Sequence, residues 1–565
     1  MLINRSGKVK KNIILVLLYF VIVMILTCLG NESNAAETYE LNGVTATLED
    51  DGTLNISGNG TLNRSLIRKF DYKNVIKKVV ISDGIKSIAD QVFSECYNLT
   101  KAELPNGLKT IENYLFLRCM NLEEVEIPSS VIKINQYAFY GCSSLRQIEI
   151  PDSVTNIGKY AFYNCDKLTK IEIGSNITNI DNAAFSGCDS LTSIDVDINN
   201  NNFCSEGEIL FNKEKTKIIC YPSAKQGNEY VIPTNITSIG ESAFAECDNL
   251  TRIYIPSNIE NIEKFAFPEC NNLVNIEVDV NNNYYSSEDG IFFNKEKTKL
   301  ISYPIAKKYM EYTIPNTVTD IENAAFHCCN NLIKINIPTS VTNIGSSAIN
   351  KCDNLREIEV DKNNKFYSSE EGVLFDKEKT EIITYPAEKQ GNEYEIPNGV
   401  KVIQSYSFYK CSNLTRIYLP NSITDIETIA FPNCNNLKVI ELPESIENIG
   451  TNIFYNCNNL TMYCKLNSKF KQYAIDNNVK YSIYGDLNES EKIDTNDLLK
   501  IMQHIAAQRT GNNKEKWILS EEKQITADVN QDGNIDQRDV LKVKRYLAAT
   551  RSEEIASNHP DWLDM

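Results

Sequence analysis

Histidine and tryptophan are scarce in this chain. Three histidines, His327, His504 and His559, are scattered along 565 residues, and the two tryptophans, Trp517 and Trp562, both lie near the C-terminus. There is no Gly-x-Ser-x-Gly elbow, no phosphate-binding Walker loop and no His-Glu-x-x-His helix. None of the short motifs that build an activated serine, a nucleotide site or a catalytic zinc is therefore present. Beyond the N-terminal stretch around Lys8–Lys11 there is no basic run, and the formal charge is −18. That balance argues against a nucleic-acid partner, whose phosphates need clustered Lys and Arg. Carboxylates are plentiful, 75 in all, so counting alone does not exclude a glycosidase-like pair. Pairs that recur every 23 residues, however, are positions of a repeat rather than a converging site.

One long apolar run exists, from Ile13 to Leu29, behind the basic stretch and ahead of Ser33-Asn34-Ala35-Ala36. A basic start, an apolar centre and small residues at the end predict a secretory signal peptide over 1–36, cleaved near Ala35 or Ala36. Two alternatives stay open: an uncleaved anchor, since roughly 17 apolar residues sit at the low edge for a span, and lipidation at Cys28, although Thr27 fits a lipobox poorly. No later segment is apolar enough to span. At this length the chain is too long for one compact domain but suits a repeat array with a small module attached.

Self-similarity dominates residues 76–465. Cysteines stand at 96, 119, 142, 165 and 188, each 23 apart, and the same step links 247 to 270, 329 to 352, and 411 to 434 to 457. At fixed offsets Leu168, Ile171 and Ile173 predict one short strand, Val154 and Ile157 a second inward pair, and Ala161-Phe162 a plug on the far side. A unit this small cannot bury its apolar edge alone, and stacking its neighbours buries them all. The pattern resembles BspA-type leucine-rich repeats, which implies a β-rich solenoid on a bacterial or protist surface. A longer period lies on top: Cys188, Cys270, Cys352 and Cys434 are 82 apart, and each interval holds one extended unit (203–222, 285–304, 367–386). Each reads as a β-hairpin inserted in the solenoid. Residues 37–75 read as an N-terminal cap, which an open solenoid end requires, and the solenoid is expected over 76–481.

Seventeen cysteines in a secreted chain would ordinarily suggest a disulfide framework. Twelve occupy the single repeat column beside the buried Phe, which predicts small buried thiols rather than disulfides. Metal binding would need tight clusters with histidine. Cys204 and Cys220 are the exception. They flank the first extended unit, and their counterparts are Ser286 and Ser302, then Ser368 and Thr384. Their joint appearance in one copy predicts a disulfide between them. Along the exposed strand column, Glu149 and Glu172 with Tyr254 and Tyr418 suggest an acidic recognition face with aromatic contacts. The competing reading is a solvated face whose charge is offset by Lys101, Lys170, Arg252, Lys334 and Arg416 two residues earlier.

The C-terminus carries the most specific chemistry. Asp528, Asn530, Asp532, Asn534, Asp536 and Asp539 fall at positions 1, 3, 5, 7, 9 and 12 of a twelve-residue loop, with Gly533 at 6 and Ile535 at 8. Oxygen donors at that spacing around a sharp glycine turn suit a hard dication, Ca2+; the competing reading is a solvated acidic turn. A second copy comprises Asp486, Asn488, Ser490, Lys492, Asp494 and Asp497 at the same positions, but Ser490 replaces the acid at 5 and Glu491 the glycine at 6. This copy is expected to hold the same ion more weakly, or to be a structural loop only. Each loop leads into one amphipathic helix, with Leu498, Leu499, Met502 and Ile505 on one apolar face and Val540, Leu541, Val543, Tyr546 and Leu547 on the other. Tyr481-Ser-Ile-Tyr-Gly485 ahead of the first loop is not helical.

Duplicated loop-then-helix units over 482–550 resemble a type I dockerin, the calcium-binding module that plugs proteins into cohesin domains of a cellulosome scaffold or surface protein. The resemblance implies cohesin contacts at loop positions 10 and 11, here Thr495-Asn496 and Gln537-Arg538, and further along the helices at Met502-Gln503 and Lys544-Arg545. The halves differ at every one of these positions, which speaks against a symmetry-related, two-way binding mode. The spacer between the copies, near 510–526, is long for the family, and 551–565 reads as a tail. The resemblances together imply a secreted, non-catalytic protein whose solenoid takes a protein or glycan and whose dockerin docks it to a cohesin. Rival readings are a hydrolase serving polysaccharide breakdown, common among dockerin-bearing proteins, and a free surface adhesin.

Overall fold

The computed structural model describes residues 36–510, 519–532 and 534–551. The expected signal peptide with Cys28, Gly533, most of the spacer, both tryptophans, His559 and the C-terminal tail lie outside the described residues. Among those described, no helix is long and apolar enough to cross a membrane. The chain divides into two units: one from the N-terminus to 227 with 235–249 and 261–268, the other comprising 228–234, 250–260 and 269 to the C-terminus.

The first unit begins with an antiparallel meander, Glu37–Leu41, Val44–Leu48 and Thr53–Gly58. Its first turn is Asn42-Gly43, with φ of 53° and 75°, the positive-φ pair that a two-residue hairpin needs to match strand twist. The third strand then pairs in parallel with Lys78–Ile81, and the ladder continues through Lys101–Glu103 and Glu124–Glu126. A second parallel ladder aligns Ile111, Ile134, Ile157 and Ile180 in register. Between the ladders Phe93, Phe116, Phe139, Phe162 and Phe185 stack at 5.2–5.7 Å. The second unit repeats the scheme, with Tyr385, Phe408, Phe431 and Phe454 stacked at 4.9–5.5 Å. Short strands suffice because each turn is covered above and below by its neighbours.

All sixteen described cysteines are free thiols. The column cysteines do more than fill space. Cys119, Cys142, Cys165 and Cys188 donate to the carbonyls of Phe93, Phe116, Phe139 and Phe162 at 3.0–3.3 Å. Cys352, Cys434 and Cys457 do likewise to Phe326, Phe408 and Phe431 at 2.9–3.0 Å. Each thiol thus satisfies a buried carbonyl of an adjacent turn while remaining nearly apolar.

Two expectations are corrected. Each extended unit has three strands rather than two, as in Tyr367–Glu370, Val373–Asp376 and Glu381–Thr384. The last of these pairs in parallel with Val402–Ile403 and so belongs to the solenoid ladder itself. In the first copy Cys204 lies on Phe203–Glu206 and Cys220 on Lys217–Cys220, with Ile209–Asn212 between them. Two strand spacings, roughly 9.6 Å, exceed what a disulfide spans. The Cys204 thiol instead donates to the Asn212 carbonyl at 3.3 Å.

Candidate functional site

The C-terminal module grows directly out of the solenoid. Lys480–Ile483 pairs in parallel with Thr461–Cys464, the segment that was expected only to be non-helical. The helix Lys469–Asp476, capped by the Ser468 hydroxyl, lies between these strands in sequence. The two loops follow, each leading into a helix, Thr495–Thr510 and Gln537–Ala549. These helices pack on each other. A two-turn helix, Glu521–Ala527, also precedes the second loop, so that copy has helices on both sides.

In both loops the position-12 aspartate is the keystone. Asp497 accepts from the backbone N–H of Leu487 at 2.9 Å, Asn488 at 3.1 Å and Asp494 at 2.9 Å. Asp539 accepts from Asn530 at 3.1 Å and Asp536 at 2.8 Å, and with Asp536 forms a capping box at the helix start. At position 1, Asp486 accepts from Ser490 and Glu491 at 3.0 and 2.7 Å, and Asp528 from Asp532 at 3.1 Å. Asn488 and Asn530 at position 3 each accept from position 5 at 3.0 Å. Ser490 donates to the Lys492 carbonyl at 3.1 Å, and the Asp532 carboxylate accepts from the Asn534 N–H at 3.0 Å. Asp494 and Asp536 accept from Asn496 and Arg538 at 2.6 and 2.7 Å.

The donor set fits a hard cation. Asp497 and Asp539 are both 0 % exposed, and burial, reinforced by neighbouring loop aspartates, raises both carboxyls above their ordinary range. Buried carboxylates that face other carboxylates are destabilised until a positive charge neutralises them. Asp528, Asn530, Asp532, the Asn534 carbonyl and Asp539 are the residues that would hold calcium in the second loop. Asp486, Asn488, Ser490, the Lys492 carbonyl and Asp497 are their counterparts in the first. The ion would supply charge neutralisation and fix each loop against its helix.

The first loop carries its own compensation for the missing glycine. Glu491 takes φ of 58°, a left-handed conformation that disfavours any residue with a Cβ. Its carboxylate accepts from the Tyr481 hydroxyl at 2.8 Å and pairs with Lys471 at 3.3 Å. Position 6 is thereby tethered to the last solenoid turns.

The positions expected to read a partner are on the surface. Thr495, Asn496, Met502, Gln537, Arg538, Lys544 and Arg545 are exposed, and Gln503 is half-buried. Arg538 reaches Asp532 at 2.7 Å and Asp536 at 2.8 Å. The apolar faces differ from expectation. Leu499 is 53 %, Met502 43 % and Leu541 45 % exposed, while Ile501, Ile505, Val540 and Val543 form the core. Leu499 and Leu541 both occupy position 14 counted from their loop's first aspartate. The sequence signal was available: at 3.6 residues per turn Leu499 lies about 120–160° from Ile501 and Ile505 and within about 60° of all four reading positions on its helix.

On the solenoid, Glu172 pairs with Lys170 at 2.8 Å, and Lys334 pairs with Glu359 at 2.5 Å. The Tyr254 hydroxyl donates to Asp279 at 3.0 Å and that of Tyr418 to Glu393 at 3.2 Å. Glu149 is exposed in a turn without assigned strand. The column is thus an interleaved charge ladder rather than an unbroken acidic face.

The family model for the BspA type leucine rich repeat region matches at 67–192, 109–226, 220–312, 302–391 and 387–483. The chain belongs to this repeat family. The model of the dockerin type I domain matches the BspA-type chain at 484–548. Both are non-catalytic domain types. No curated protein matches the chain. Among solved structures it is similar to a leucine-rich repeat protein from Eubacterium ventriosum, at 24% identity over 75% of this chain and 95% of that one, TM-score 0.37. It is also similar to a leucine rich cell surface protein from Faecalibacterium prausnitzii, at 24% identity over 79% and 99%, TM-score 0.32. A leucine-rich repeat protein from Bacteroides ovatus matches at 21% identity over 79% and 99%, TM-score 0.27.

Proposed function

We propose that this protein is a secreted, non-catalytic recognition component. Its solenoid takes a protein or glycan, and its dockerin binds a cohesin of a cellulosome scaffold or surface protein when calcium fills the loops. The observation that carries the reading is the paired loop-then-helix geometry, with buried Asp497 and Asp539 at equivalent positions and a dockerin match over 484–548. The exposed Leu499 and Leu541, beside Met502, Lys544 and Arg545, supply the apolar centre and polar rim that a docking face needs.

The calcium acts on the chain's own residues. Bound calcium would neutralise the loop carboxylates; Asp497 and Asp539 would then stay fixed at the starts of their helices and hold the partner-facing side chains in place. The test is binding of the full chain to a panel of purified type I cohesins, with calcium and then with EDTA. Calcium-dependent capture of a cohesin is expected. The double variant Asp528→Ala, Asp539→Ala should lose it while keeping the β-rich circular dichroism of the solenoid. Tight cohesin binding by that variant would refute the metal-dependent model.

A further inference from the structure

Within the second unit, a carboxylate, an imidazole and a thiol converge outside the dockerin. The repeat places a left-handed residue immediately before the column cysteine, as at Glu269 and Cys328 with φ of 54° and 60°. Most copies fill that position with Glu, Asn, Gly, Arg or Lys. Only one puts a thiol there preceded by a histidine, His327-Cys328. Cys328 is consequently a thiol outside the column. It is half-buried, whereas the column thiol Cys329 beside it is buried and bonds to the Tyr303 carbonyl at 3.6 Å.

The donor atoms of Glu269, His327 and Cys328 all lie within 4.8 Å of one another. Glu269 Oε1 is 3.2 Å from His327 Nε2. The other ring nitrogen, Nδ1, is buried and has no partner among the described residues. Lys351 Nζ stands 2.9 Å from the same Glu269 oxygen.

We propose that Glu269, His327 and Cys328 form a binding site for a borderline transition-metal dication, Zn2+ foremost, with one coordination position left open. One sulfur, one nitrogen and one oxygen suit zinc, and bond lengths of about 2.0–2.3 Å imply donor–donor edges of roughly 3.3–3.8 Å. The glutamate–histidine edge, at 3.2 Å, is already close to that range, and the thiol has to close in. Calcium and magnesium are rejected by the same set, because they want oxygen on every side. As the metal–sulfur bond forms, the thiol proton leaves to solvent. Lys351 holds the Glu269 charge in the metal-free protein and is displaced by the incoming dication. The histidine signal that the sequence seemed too poor to provide is thus supplied by one residue, through a turn-to-turn contact that no linear spacing announces.

Co2+ is the probe, added to the full chain after calcium has saturated the dockerin loops. A near-ultraviolet thiolate-to-cobalt charge-transfer band that saturates at one equivalent, and that Zn2+ displaces, is the expected result. Cys328→Ser should abolish the band, and His327→Ala should weaken cobalt binding by roughly tenfold or more. Lys351→Met should tighten it by removing the competing ammonium. Glu269→Gln, expected to weaken binding, serves as a second probe if Cys328→Ser does not fold. No band, or an undiminished band in a folded Cys328→Ser protein, overturns the site. Cobalt binding no tighter in Lys351→Met overturns the role given to that lysine.

Discussion

At the scale of single residues, the cost of an unfavourable backbone angle is set against a tether. Glu491 occupies the loop position that glycine fills in the second copy, at φ of 58°, and its carboxylate binds Tyr481 and Lys471. A left-handed residue with a Cβ costs about 1 kcal/mol or more. Glu491→Gly is therefore expected to tighten calcium binding by the first loop, by up to roughly tenfold, as read by isothermal titration of the full chain. Unchanged or weaker binding would show that the missing acid at Ser490, not the turn, limits this loop. A second residue-scale expectation concerns pH. Burial, and then the neighbouring Asp189, push the Asp166 carboxyl up from 3.8 to about 6. The folded chain thus holds this proton more tightly than the unfolded one, and stability falls as pH rises from about 4 to about 6. Asp166→Asn, neutral throughout, should stabilise the protein at pH 7 by on the order of 1 kcal/mol after solvent screening. The advantage should vanish below pH 4 in thermal melts. An equal gain at both pH values would remove charge as the cause. The oxygen donors proposed for calcium were readable at this scale because each set lies within one twelve-residue loop. The Glu269–His327–Cys328 cluster was not, because its members come from turns 58 residues apart.

At the scale of elements, the extended units depend on one buried asparagine each. Asn200, Asn282 and Asn364 recur 82 apart and are almost wholly buried. The Asn364 amide donates to the carbonyls of Pro338 at 2.8 Å and Val341 at 3.0 Å. Its oxygen accepts from Phe366 at 2.8 Å and Tyr367 at 2.9 Å. One side chain thus ties the incoming strand Tyr367–Glu370 to the preceding turn. Asn364→Leu leaves those buried groups unpaired and should cost roughly 3 kcal/mol in urea denaturation. Less than about 1 kcal/mol would mean that the extended unit relaxes without its tie. The repeat period, the inward Ile positions and the Phe stack were all legible, since each is a fixed offset from a cysteine. The additional strand of each extended unit was hidden, because Tyr-Ser-Ser-Glu carries too little apolar alternation to read as a strand. The same argument explains Cys204 and Cys220. Their pairing in one copy was a true coincidence of position, but the strand between them was invisible to a two-strand reading.

At the scale of the second unit, the dockerin and the last solenoid turns share one core. Phe470 and Met462 belong to the same buried cluster as Leu487, Ile501, Val529, Val540 and Tyr546. The backbone continues the contact: Gly485 donates to Thr526 at 2.8 Å, and Tyr484 to Cys464 at 3.0 Å. Lys523 reaches the Leu487 carbonyl at 2.8 Å and pairs with Glu489. A cut at residue 482 would sever the strand Lys480–Ile483 from its partner and open this core. The module is therefore built to be presented by the solenoid rather than on a flexible linker. On the proposed reading, calcium fixes the loops that pin this core, and its removal should loosen more than the loops. Hydrogen exchange of the full chain in EDTA is expected to speed up over 461–464 and 480–483 as well as 484–551, by about tenfold or more for each 1.4 kcal/mol of lost local stability. The ladders around 101–180 should exchange unchanged, since a solenoid turn feels only its neighbours. Acceleration confined to 484–551 would show that the two parts share surface without sharing stability, and the dockerin would then act as an independent plug.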